Sequence, residues 1–96
     1  MSTGYVFITG ASSGIGESCA RKCAEQGMNL VLTARREEKL NALKEELEAQ
    51  YSVEVIVKAM DVTDHKQVEA VFADLEDKEI TSLINNAGLA QEKASF

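Results

Sequence analysis

Tyr5-Val6-Phe7-Ile8-Thr9 is a short apolar run that passes straight into Gly10-Ala11-Ser12-Ser13-Gly14-Ile15-Gly16, and a helical period begins before that turn has ended. A buried strand, a glycine turn and a helix in immediate succession restrict the chain to architectures in which strands and helices alternate. The rest of the sequence keeps that alternation. The first helix, from about Ile15, is expected to bury Ile15, Cys19, Ala20, Cys23 and Ala24 and to stop at Gly27. Asn29 to Ala34 reads as a second strand. Arg36 to Gln50 reads as a helix with Leu40, Leu43 and Leu47 on its apolar stripe. Val53 to Met60 is a third strand. Asp64 then caps a helix with Val68, Val71, Phe72 and Leu75 inward, and Ile80 to Ile84 is a fourth strand. The order is β-α-β-α-β-α-β, and right-handed crossovers make the sheet parallel.

Composition sets the bounds. At 96 residues and 45% hydrophobic side chains, one small core is expected and a second domain is excluded. No apolar run approaches the roughly 18 residues of a membrane span, and the first one starts too early for a targeting segment. Two cysteines make no disulfide framework, so a reducing cytoplasm is the expected location. The net charge of −6 argues against nucleic acid as a partner. Its distribution is uneven. Residues 1–36 carry four basic and two acidic side chains, whereas residues 37–96 carry six basic and fourteen acidic ones. An anion site therefore belongs in the N-terminal third.

Gly10, Gly14 and Gly16 have the spacing G-x-x-x-G-x-G, with Cys19 where the commoner G-x-G-x-x-G fingerprint has its third glycine. The physical logic is that of a diphosphate cradle. Glycines allow close backbone approach, the helix that starts there offers free amides and its positive dipole end, and Ser12 and Ser13 add hydroxyls. In such a fold the end of the second strand reads the adenosine ribose, about 20 residues past the last glycine. Arg35 and Arg36 stand there instead of an acid. Arginine grips a 2′-phosphate bidentately, so NADP is favoured over NAD. Other readings are weaker. Gly10-Ala11-Ser12-Ser13-Gly14 also fits the G-x-S-x-G elbow of hydrolases, but the sole histidine, His65, lies only four residues from Asp61 and is expected to be solvated. No lysine follows the glycines as a Walker loop requires. Cys19 and Cys23 read as small core residues, not metal ligands.

Thr9-Gly10-Ala11-Ser12-Ser13-Gly14-Ile15-Gly16, then Asp61-Val62-Thr63-Asp64, then Asn85-Asn86-Ala87-Gly88 resemble, in order and spacing, the motifs of the short-chain dehydrogenase/reductase family. The resemblance implies a three-layer Rossmann-type sheet, here a truncated one of strand order 3-2-1-4, forming a partial NAD(P)-binding domain over residues 1–96. It implies that Gly10, Ser12, Ser13, Gly14, Ile15 and Gly16 line the diphosphate and that Arg35 and Arg36 meet the 2′-phosphate. Asp61 would bond the adenine amino group, and Val62 would touch the ring. Asn86, Ala87 and Gly88 would border the adenosine side and steady the sheet. The family's chemistry needs a Tyr-x-x-x-Lys pair and a serine. Thr9 stands four residues after Tyr5 and Val55 four after Tyr51, so no catalytic residue is assigned and the chain is expected to be inactive alone. Its last strand would be an open edge beside under-covered apolar surface, so self-association is expected. The chain reads either as the cofactor-binding part of an NADP-dependent oxidoreductase acting on a small alcohol or hydroxy acid, or as a stand-alone, non-catalytic dinucleotide-binding or assembly module.

Overall fold

Val6, Ile8, Leu30 and Leu32 alternate with Tyr5, Phe7 and Val31 along two adjacent strands, so both faces of the sheet's centre must be covered. A computed structural model, describing residues 4–86, shows how. The elements are β1 (Tyr5–Thr9), α1 (Gly14–Glu25), β2 (Asn29–Ala34), α2 (Glu38–Gln50), β3 (Val55–Ala59), α3 (His65–Asp74) and β4 (Ile80–Asn85). All strand pairs are parallel, and the order is β3-β2-β1-β4 as expected. Helices α1 and α2 cover Val6, Ile8, Leu30 and Leu32 with Ala20, Ala24, Leu40, Leu43 and Leu47. On the other face Tyr5, Phe7 and Val31 meet Val71 and Leu75 of the α3 region, together with Met60.

Three expectations need correction. The third strand is shorter than the apolar run, because Val53, Glu54 and Met60 lie outside its ladder with β2. Helix α1 does not bury its whole apolar stripe. Ile15 is 71% exposed, and Cys19 and Cys23 are only half-buried, walling an open groove of about 620 Å³ against Ile84. Phe72, expected inward, stacks on Phe7 with ring centroids 4.8 Å apart yet stays 41% exposed. The α1 groove has a simple cause: it opens toward Ile84 of β4, where the described residues supply no further covering element.

The two sheet edges differ. At the β3 edge, α2 reaches over the strand. Glu48 Oε2 accepts from the Val55 amide at 2.9 Å, and Lys44 Nζ donates to the Val55 carbonyl at 2.6 Å. Side chains thus occupy backbone groups that would otherwise template another strand. The Val55 amide is the main influence holding the Glu48 carboxyl below the ordinary glutamate value of 4.5, and Lys44 adds to it. A depressed folded-state value means stabilisation that is present above pH 4.5 and is lost as pH falls below it. Urea unfolding at pH 7 and pH 3.5 should therefore show an acid loss that is smaller in Glu48→Ala, by about 1 kcal/mol. Equal losses in the two proteins would remove Glu48 from the account.

Candidate functional site

Between β1 and α1 the chain must reverse direction within four residues, and Gly10 does so at φ +62°, a region that side chains disfavour. The turn is tied to its neighbours. The Ala11 amide donates to the Thr33 carbonyl of β2 at 3.0 Å. Ser13 caps α1, its hydroxyl accepting from the Gly16 amide at 3.2 Å. Gly16 is glycine for packing, since a Cβ there would stand 2.8 Å from the Ala11 Cα, 3.0 Å from the Gly10 carbonyl carbon and closer still to its oxygen. Gly14 is different, because a Cβ there would meet nothing within 4 Å. Space is open where the helix begins, and helix geometry leaves the Gly14 and Ile15 amides without intrahelical partners. That is the donor set and clearance an anion needs.

The second group lies at the ends of β2 and β3. Arg35 and Arg36 directly follow Ala34, the last residue of β2, and both are exposed. Arg35 Nε lies 3.9 Å from Asp61 Oδ2. The other Asp61 oxygen accepts from the Thr63 hydroxyl at 2.6 Å and from the Thr63 amide at 2.9 Å, and the Asp61 amide donates to Gln67 Oε1 at 2.9 Å. The Thr63 bonds hold the Asp61 carboxyl below its usual range, and Arg35 contributes less. Asp61 is thus a fixed, ionised acceptor beside an exposed cation. Val62 is half-buried and turns partly into the α3-side core.

Asn86, just past β4, is buried and directs its amide into the glycine turn. The structure therefore brings Gly10 to Gly16 together with Asn86, and Arg35 with Asp61, along the carboxyl ends of four parallel strands. Ala87 and Gly88 lie outside the described residues. Ser12 is half-buried, and His65 is exposed in the first turn of α3 as expected. Sequence reasoning missed three supports: Thr33, whose carbonyl anchors the turn, and Thr63 and Gln67, which orient Asp61. The Asp-x-Thr spacing carried the signal for Thr63, since an Asp side chain commonly accepts from the amide two residues on. Among the described residues no three metal-ligating side chains cluster, and no helix is long and apolar enough to cross a membrane.

A parallel sheet whose order reverses between β1 and β4, with a glycine turn feeding a helix at that reversal, defines the dinucleotide-binding class of α/β proteins. A profile of the family described as short chain dehydrogenase matches residues 4–96, and the chain belongs to that family. It is 49% identical over 90 residues to sulfoacetaldehyde reductase of Chromohalobacter salexigens, covering 92% of this chain and 35% of the relative. It is 44% identical over 88 residues to the NADP-dependent 3-hydroxy acid dehydrogenase of Schizosaccharomyces pombe, covering 88% of this chain and 34% of the relative. Among solved structures, a short-chain dehydrogenase from Sphingobium yanoikuyae in complex with NADPH superposes with a TM-score of 0.79 at 43% identity, covering 86% of this chain and 33% of that one. The chain thus spans about a third of the length of the relatives it matches.

Proposed function

We propose that this chain is the NADP(H)-binding part of a short-chain dehydrogenase/reductase. In this reading residues 1–96 form a partial dinucleotide-binding domain, and the whole enzyme transfers hydride between NADP and a small alcohol or hydroxy acid. The observation that carries the cofactor reading is the pair of exposed arginines directly after β2, on the same rim as the glycine turn. The open space at Gly14 and the amides of the first α1 turn suit a diphosphate, and Arg35 and Arg36 suit a 2′-phosphate. NADP supplies the hydride chemistry when bound. The chain's own residues bind and orient the adenosine half. Relatives of known structure and name that use NADPH or NADP support the same cofactor, and the family match favours this reading over a stand-alone module. Calorimetric titration of the purified chain with NADPH and with NADH tests it. Tighter binding of NADPH is expected. Equal affinity for the two would refute the assignment of a 2′-phosphate site.

The same reading extends to the open edge. Strand β4, Ile-Thr-Ser-Leu-Ile-Asn, carries no charge, and among the described residues β1 is its sole strand neighbour. Leu83 is 58% exposed on it, in register with Phe7, on whose ring the half-covered Phe72 stacks. Uncharged edges flanked by apolar surface favour pairing with another strand. The isolated chain is expected to self-associate at micromolar concentration, more strongly as salt screens its −6 charge. Leu83→Lys should shift sedimentation towards monomer. A compact, cooperatively unfolding monomer at every salt concentration would disprove self-association.

A further inference from the structure

The carbonyl of Gly10 sits where the glycine turn bends, and an exposed carbonyl oxygen there would repel an anion. It is not exposed to one. It accepts from the Ser13 amide at 3.2 Å, the Ser13 hydroxyl at 3.0 Å and Asn86 Nδ2 at 3.0 Å. Asn86 Nδ2 also lies 2.6 Å from Ser13 Oγ. A carbonyl oxygen only accepts, so the amide nitrogen of Asn86, not its oxygen, must face it. Asn86 is 4% exposed, so its side chain is committed to the turn rather than offered to solvent. The Ser13 hydroxyl is equally committed. Its single hydrogen goes to Gly10, and its lone pairs take the Gly16 amide and Asn86.

We infer that Asn86 is a positioning residue for the diphosphate-binding turn: from the end of β4 it holds the Gly10 carbonyl and the Ser13 hydroxyl inward, so that the turn presents amides to an anion. This rests on the reading that Gly10 to Gly16 take the diphosphate. It changes the role of two residues within that reading. Asn86 acts through the turn and not as a wall of the adenosine cleft, and Ser13 shapes the turn and gives no hydroxyl to a phosphate. The turn's donor geometry is then set by a residue 76 positions away, and it is complete only when β4 lies beside β1. Backbone amides arranged in a turn around a residue at positive φ form an anion-binding concavity, provided the intervening carbonyls point away.

Three probes separate this role from a general one: NADPH, ADP-ribose, which has the diphosphate but no 2′-phosphate, and 2′-AMP, which has no diphosphate. Asn86→Ala should weaken NADPH and ADP-ribose about tenfold, the worth of one buried hydrogen bond, and leave 2′-AMP within about twofold. Ser13→Ala, which costs only an N-cap at an exposed position, should give the same pattern. The double variant should lose little more than the larger single, because the two residues act as one network. Hydrogen exchange without ligand gives an independent reading. Residues 10–16 should exchange faster in Asn86→Ala while α2 stays protected. Equal weakening of all three probes, additive losses, or unchanged exchange in the turn would each overturn the inference. If the unaltered chain binds neither NADPH nor ADP-ribose, the diphosphate reading itself fails and the inference falls with it.

Discussion

Replacing Arg35 and Arg36 together by alanine is expected to weaken NADPH binding by about 10- to 100-fold while changing NADH binding by less than about threefold. Charge-assisted hydrogen bonds to a phosphate contribute about 1.5–3 kcal/mol, and NADH has no 2′-phosphate to lose them. The fold should tolerate the change. Both side chains are exposed beyond the end of β2, and the one ion pair broken among the described residues, Arg35 to Asp61 at 3.9 Å, is a surface contact worth at most about 1 kcal/mol. Its loss leaves Asp61 in place, because the two Thr63 bonds to that carboxylate, the larger influence on it, remain. In the proposed function Asp61 meets the adenine that both cofactors share, so that contact should be kept as an internal control. Parallel weakening of NADPH and NADH would show that the arginines support the site generally and do not read the phosphate.

Two glycines that look equivalent in the motif should fail in different ways. In Gly16→Ala the new methyl group meets backbone, at Ala11 Cα and the Gly10 carbonyl, and neither can swing aside as a side chain tip would. The turn must open or α1 must lift from β1, at a cost of about 2–4 kcal/mol. Total stabilities of small domains are about 5 kcal/mol and upward, so a large fall in the urea midpoint is expected. Gly14→Ala meets nothing within 4 Å and sits at the start of a helix, so stability should hold or rise by a few tenths of a kcal/mol. Its methyl group occupies the space that a diphosphate needs, so NADPH affinity should fall at least tenfold. Unchanged binding in Gly14→Ala would place the diphosphate elsewhere. Unchanged stability in Gly16→Ala would contradict the packing of α1 on the turn.

The strand and helix sequence was legible because each element carries its own period. Leu40, Leu43 and Leu47 recur at helical spacing, and the runs at Tyr5 to Thr9 and Asn29 to Ala34 are short and continuous as doubly covered strands are. Burial was less legible. The helical spacing of Ile15, Cys19 and Cys23 reports that one face of α1 is apolar, but it cannot report what lies opposite. The same limit applies to Phe72. In the candidate site, the glycines and arginines could be singled out because a diphosphate and a 2′-phosphate would demand those residue types locally. The partners of Ser13 and Asn86 could not, since a hydroxyl or amide beside a glycine turn does not reveal what it bonds until the strands have paired.

The sequence by itself determined the alternation of elements, the parallel sheet and the placing of a glycine turn and two arginines after the first two strands. All of these follow from local periodicity, turn chemistry and chain handedness. Tertiary structure alone decided which hydrogen-bonding groups remain available at that rim. Asn86 reaches Gly10 and Ser13, Thr33 reaches Ala11, and Arg35 meets Asp61, all across separations that no local pattern spans. It also decided that the edge at β3 is covered by Lys44 and Glu48 while β4 has β1 as its sole described strand neighbour. The physical reason is that a donor's partner is set by distance in the folded state, and distance between residues far apart in sequence exists only once the strands have paired.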